Sequence, residues 1–137
     1  MKRITRTTLM LSLVLAGTAC SYPRIPNRYR SDLGGKMLYA EGNDGDLARA
    51  VKVSIATVKE SGDVRTHVIL FENFSRKKQE FEYQTRWYNT LGILAGDPSE
   101  WKSVTLDALD QINLTVQQPE ISDLVNLEII VRVPGKK

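Results

Sequence analysis

Apolar and polar residues alternate with a period of two along most of the chain from Leu47 onward. Val51, Val53, Ile55 and Thr57 alternate with Lys52, Ser54 and Ala56, and Phe81, Tyr83, Thr85 and Trp87 alternate with Glu80, Glu82, Gln84 and Arg86. Ile112, Leu114 and Val116 alternate with Asn113 and Thr115. Successive side chains of an extended strand point to opposite faces, so each run predicts a strand with one buried face. Residues 64–72 (VRTHVILFE) and 127–133 (LEIIVRV) are apolar on both faces for part of their length, as strands inside a sheet are. Met37 to Ala40 and Trp101 to Leu106 are shorter candidates.

Turn-forming residues separate these runs at Gly42 to Asp46, Ser61-Gly62-Asp63, Ser75 to Lys78, Gly96-Asp97-Pro98 and Pro119 to Asp123. No stretch longer than about two turns keeps a helical period. About seven short strands in about 100 residues predict an all-β fold, an immunoglobulin-like antiparallel β-sandwich. Trp87, on the inward side of a middle strand, is its expected core aromatic.

The first twenty residues follow different rules. Lys2, Arg3 and Arg6 precede the apolar run Leu9 to Ala16, and Gly17-Thr18-Ala19 supplies the small residues a signal peptidase accepts. The run is far short of the roughly 20 apolar residues that span a bilayer, so residues 1–19 read as a removable signal peptide. The only cysteine, Cys20, follows directly, and Leu15 to Cys20 resembles the lipobox at which a bacterial lipoprotein receives diacylglycerol on sulfur. Gly17 stands where that pattern prefers Leu. Gly17 and Ala19 also suit the ordinary signal peptidase, which would leave a free thiol at Cys20. An unpaired exposed cysteine is a liability in an oxidising compartment, which favours lipidation. Ser21 after the cysteine resembles an outer-membrane sorting signal. Residues 20–35, with Pro23, Pro26, Gly34 and Gly35 and no hydrophobic period, read as a flexible tether of about 50 Å maximum reach, and residues 36–137 as the folded domain.

The chain of 137 residues has room for one domain. Its net charge of +3 changes meaning once the signal is set aside. Three of the 19 basic residues lie in residues 1–19, so the remainder balances the 16 acidic ones. Residues 36–137 are faintly acidic, and the concentrated basic face of a nucleic-acid binder is missing. Arg24, Arg28 and Arg30 in the tether suit anionic headgroups, a partner protein or plain solvation. Arg76-Lys77-Lys78 reads as a basic hairpin tip.

Candidate chemistry is sparse. A hydrolase needs a nucleophile, a base and a group to orient the base. The chain has one histidine, His67, inside a predicted strand, and no Gly-flanked serine of the nucleophile-elbow type. One histidine and one cysteine exclude an ordinary zinc site. Glu41 to Asp46 is rich in oxygen ligands but lacks the spacing of an EF-hand, and Asn and Asp beside Gly are also ordinary turn chemistry. No catalytic residue, metal or cofactor is expected. Tyr88 and Trp101 are the aromatics expected to meet a partner or ligand.

The stretch Phe81 to Leu94 (FEYQTRWYNTLGIL) resembles the signature of the YcfL-like periplasmic lipoproteins, through Tyr83, Arg86, Trp87, Tyr88 and Gly92. Trp101 and the run Val104 to Leu114 resemble that family's second Trp and the strand-turn-strand after it. The resemblance covers residues 47 to 133 and implies a small outer-membrane-tethered sandwich of uncharacterised function. The expectation is a non-enzymatic periplasmic lipoprotein, held in the outer membrane by lipid on Cys20, that meets another envelope protein within a larger envelope or secretion assembly. The alternative is a binding module for peptidoglycan or a small ligand.

Overall fold

A computed structural model describes residues 26–41 and 45–135. The residues read as a signal peptide, with Cys20, Arg24 and residues 42–44 of the oxygen-rich loop, lie outside the described residues. Eight strands and one short helix follow in order: β1 (Asn27–Asp32), β2 (Met37–Glu41), α1 (Gly45–Ala50), β3 (Val51–Ser61), β4 (Val64–Asn73), β5 (Gln79–Asn89), β6 (Lys102–Leu106), β7 (Gln111–Gln117) and β8 (Leu124–Arg132). They form a five-stranded sheet, β2-β1-β8-β5-β6, and a three-stranded sheet, β3-β4-β7. All pairings are antiparallel. The expected all-β sandwich is therefore what forms, with eight strands.

The period-two alternation places its apolar faces between the sheets. Val51 and Val53 of β3 and Ile69 and Phe71 of β4 meet Phe81, Tyr83 and Trp87 of β5 and Leu127, Ile129 and Val131 of β8. Phe71 lies 5.2 Å from Phe81 and 5.3 Å from Tyr83, ring centre to ring centre. Trp87 is buried as expected.

Residues 27–32 correct the tether reading. They form β1, which pairs with β8 along its whole length, from Asn27 opposite Val131 to Asp32 opposite Asn126. The inward face of β1 is Asn27, Tyr29 and Ser31, with Asn27 and Ser31 fully buried and Tyr29 packed on the core. Polar residues hold that face, so a hydrophobicity pattern does not register it. The domain therefore starts no later than Asn27 rather than at residue 36. Arg28 and Arg30 belong to the outer face of the sheet, not to a linker.

Two further readings change. Gly45 to Ala50 forms α1, with Asp46 in its first turn and Arg49 in its last, where each complements the helix dipole. The basic turn Arg76-Lys77-Lys78 is no hairpin tip, because β4 and β5 belong to different sheets and the turn crosses between them. Buried Asn73 secures that crossing. Its Nδ2 donates to the carbonyls of Lys77 (2.9 Å) and Asp107 (2.8 Å), and its Oδ1 accepts from the Ser75 N–H (2.9 Å) and hydroxyl (2.8 Å).

Candidate functional site

One end of the sandwich gathers the features that could meet another molecule. β5 and β6 are joined there by a long loop whose first turn is tightly ordered. The Asn89 side chain accepts from the N–H groups of Leu91 and Ile93, both at 3.0 Å. Gly92 donates its N–H to the Asn89 carbonyl (2.9 Å) at a φ of 74°, a left-handed conformation that glycine adopts without strain. Thr90 N–H reaches the Asp123 carbonyl (3.1 Å), and Ala95 N–H returns to the Trp87 carbonyl (2.8 Å). This fixed loop turns apolar side chains outward: Leu91 is 79% exposed and Ile93 58%. Asn89 and Gly92 belong to the quoted stretch Phe81 to Leu94, but a sequence pattern shows neither the outward pose of Leu91 nor that of Ile93.

Two clefts open at this end of the sandwich, the second of them lined by the loop. One, of about 350 Å³, lies between the β3–β4 turn (Gly62, Asp63) and the segment Gln118 to Ile121. The other, of about 330 Å³, enters between the sheets, with Thr85 and Trp87 on one wall, Thr115 to Gln117 on the other, and Gly96 and Asp97 at its rim.

His67 sits behind the second cleft. Its ring centre is 5.2 Å from that of Trp87, and with its proton on Nε2 it donates to Gln118 Oε1 at 3.1 Å. None of the residue is exposed, so the ring fills the core and touches no solvent. Burial lowers its pKa below 6.5, with Arg65 adding to the effect and the Gln118 bond opposing it. The unfolded chain thus binds a proton that the folded one refuses. Stability attributable to this group is complete above pH 6.5 and falls as the pH drops toward the depressed folded value. Urea titrations at decreasing pH are expected to show this loss in the native chain and a flatter profile in His67→Gln; parallel profiles would refute it.

Tyr88 and Trp101 lie on the other side of the five-stranded sheet, facing away from the core. Neither is freely exposed. Arg30 lies 4.0 Å over the Tyr88 ring and Arg132 lies 3.7 Å over that of Trp101, both as cation–π contacts. The Tyr88 hydroxyl donates to Glu128 Oε2 at 2.7 Å, and Arg30 Nη2 donates to Glu128 Oε1 at 3.2 Å. Burial first, then the bond and charge of Glu128, raise the Tyr88 pKa. Arg132 in turn pairs with Glu82 at 2.8 Å. The structure thus binds both aromatics into the sheet's own polar network, and the Tyr88 backbone also bridges to Leu94 of the apolar loop. Glu128, Leu91 and Ile93 are residues that sequence reasoning passed over.

Among the described residues, no group of three or more His, Cys, Asp or Glu could hold a metal ion, and no helix is long and apolar enough to cross a membrane.

No curated protein matches the chain. A solved structure, that of a DUF1425 family member from Shewanella sp. pv-4, superposes with a TM-score of 0.51 at 24% identity, over 69% of this chain and 81% of that one. This likeness concerns the fold. A family model described as "Protein of unknown function (DUF1425)" matches residues 40–132. It spans α1 and β3 to β8, while β1 precedes the match yet completes the larger sheet between β2 and β8. With most of the sandwich inside that match, the chain belongs to the DUF1425 family.

Proposed function

We propose that the chain is an exported lipoprotein of the YcfL-like type, held at the periplasmic face of the outer membrane by lipid on Cys20. Its domain serves as a non-enzymatic interaction module for another envelope protein. The observation that carries the interaction reading is the ordered loop from Asn89 to Ala95, which holds Leu91 and Ile93 in solvent with a lattice of its own hydrogen bonds. Apolar side chains fixed in one pose lose little conformational entropy on docking, as suits a recognition surface.

The geometry supports this arrangement. Asn27 is level with Val131 and Asn89 with Leu124, at opposite ends of β8. The apolar loop therefore faces away from the end at which the chain from Cys20 enters. That connection, Ser21 to Pro26, spans at most about 20 Å rather than the 50 Å of a longer tether, which keeps the domain near its anchor.

A photo-reactive residue at position 91 in living cells should capture an envelope protein, and Ile93→Asp should reduce that capture at least about tenfold. Absence of any adduct, or capture indifferent to Ile93→Asp, would overturn the interaction reading. The mass of the mature N-terminus tests the anchor separately: a diacylglyceryl-modified Cys20 is expected, and an unmodified thiol would refute it.

A second reading, a small-ligand or peptidoglycan module, is favoured by one observation, the Trp87-walled cleft between the sheets. Sedimentation with purified cell wall separates the two, since an adaptor for proteins stays in solution. Tyr88 and Trp101 contribute less to that reading, because Arg30 and Arg132 already stack on their rings.

A further inference from the structure

Four strands lie at sheet edges: β2 and β6 in the larger sheet, β3 and β7 in the smaller. An edge strand carries open backbone donors and acceptors, and proteins blunt such edges with charge, proline, bulges or short length. Three of the four are blunted. β3 bears exposed Lys52 and Lys59 and a register shift between Ile55 and Thr57. β6 has five residues and starts at Lys102, and β2 has five residues with a register shift in its pairing. β7, Gln-Ile-Asn-Leu-Thr-Val-Gln, has seven residues with no charge and no proline, and its pairing to β4 runs without a shift.

The free backbone groups of β7 can be assigned. Gln118 N–H donates to the Arg65 carbonyl, and Asn73 N–H donates to the Asp110 carbonyl. The even-numbered positions therefore face β4, because hydrogen-bonded and non-hydrogen-bonded pairs alternate along an antiparallel ladder. The N–H and C=O groups of Asn113, Thr115 and Gln117 and the C=O of Gln111 point the other way, to the open side, while the Gln111 N–H donates to Asp110 Oδ1 at 2.8 Å. The same four side chains are exposed, while Ile112, Leu114 and Val116 face inward and are only partly covered.

This strand reads nearly alike in both directions. Reversed about Leu114, Gln111 meets Gln117, Ile112 meets Val116 and Asn113 meets Thr115. We propose that β7 is a self-association edge and that its partner is β7 of a second copy of this chain, paired antiparallel about a two-fold axis at Leu114. In that register the free groups of Asn113 face those of Thr115 in the second copy, and the free carbonyl of Gln111 faces the N–H of Gln117. Each Asn113–Thr115 pair exchanges two hydrogen bonds, and each Gln111–Gln117 pair forms one, from the Gln117 N–H to the Gln111 carbonyl. Polar side chains meet polar ones and the half-covered apolar ones meet each other, with no like charges opposed. The two three-stranded sheets become one continuous sheet, and the interface is isologous, as two-fold symmetry requires. The dimer carries its two Leu91 loops at opposite ends. The pairing itself depends on neither the anchor nor the partner.

Asn113→Lys with Thr115→Lys changes only exposed positions and sets lysine opposite lysine across the axis. Asn113→Glu with Thr115→Glu does the same with acids. Differently tagged full-length chains, co-expressed and taken in whatever processed form the cell makes, should co-purify when native. Co-purification should fall at least about tenfold for the lysine form with itself, and return when lysine and glutamate forms are mixed. The N-terminus is common to all arms, so association through it cannot follow this charge pattern. Native copies that fail to co-purify, or pairings that all co-purify equally, would overturn the proposal.

Discussion

Glu128→Ala should lower the stability of the domain by about 3–5 kcal/mol, as expected when one member of a buried ion pair is removed. Glu128 is wholly inaccessible to solvent, although it points to the polar side of the larger sheet. It occupies β8, the central strand, level with Arg30 on β1 and Arg86 on β5. Arg30 reaches one carboxylate oxygen at 3.2 Å and the Tyr88 hydroxyl donates to the other at 2.7 Å. Alanine leaves a largely buried guanidinium without this counter-charge and a phenol without this acceptor. Glu128→Gln keeps an acceptor for Tyr88 and should cost less. Arg30→Met with Glu128→Leu should recover much of the loss, because a buried pair is worth little more than an apolar substitute of its shape. Urea denaturation at constant m-value measures all three, and a loss below about 1 kcal/mol for Glu128→Ala would show that the pair is not a structural requirement.

Phe71→Ala should cost a similar 3–5 kcal/mol through a different mechanism, the cavity left by a core aromatic. Phe71 is fully buried on β4, and its ring contacts those of Phe81 and Tyr83 on β5 across the interface between the sheets. No backbone ladder joins these strands, so side chains alone hold the sheets face to face here. Phe74, three residues on, is 57% exposed, and Phe74→Ala should stay within about 0.5 kcal/mol. If the two substitutions cost the same, the core is not where the structure puts it.

The two residues mark the limits of sequence reading in this chain. Phe71 sits in an apolar strand, so its burial follows from local pattern. Glu128 sits among Leu127, Ile129 and Ile130, where a single carboxylate reads as an interruption. Its role depends on Arg30 and Tyr88, which are 98 and 40 residues away. The candidate loop was legible in part: Gly92 announces a turn needing a permissive φ, but the outward pose of Leu91 and Ile93 depends on Asn89 and on the Asp123 carbonyl brought from the β7–β8 connection.

Alternation with a period of two determined the all-β class and the positions of β3, β5 and β7, since it is the direct imprint of a half-buried strand, and runs apolar on both faces marked β4 and β8. Composition and cysteine position determined the reading of residues 1–20. The tertiary structure decided which strands share a sheet, that the β4–β5 connection crosses between sheets, and that Asn27 to Asp32 is a strand. The reason lies in the range of the forces. Burial of apolar groups leaves a local pattern, whereas a polar strand such as β1 is held by backbone pairing to β8, some hundred residues later, whose hydrogen bonds are indifferent to side-chain hydrophobicity.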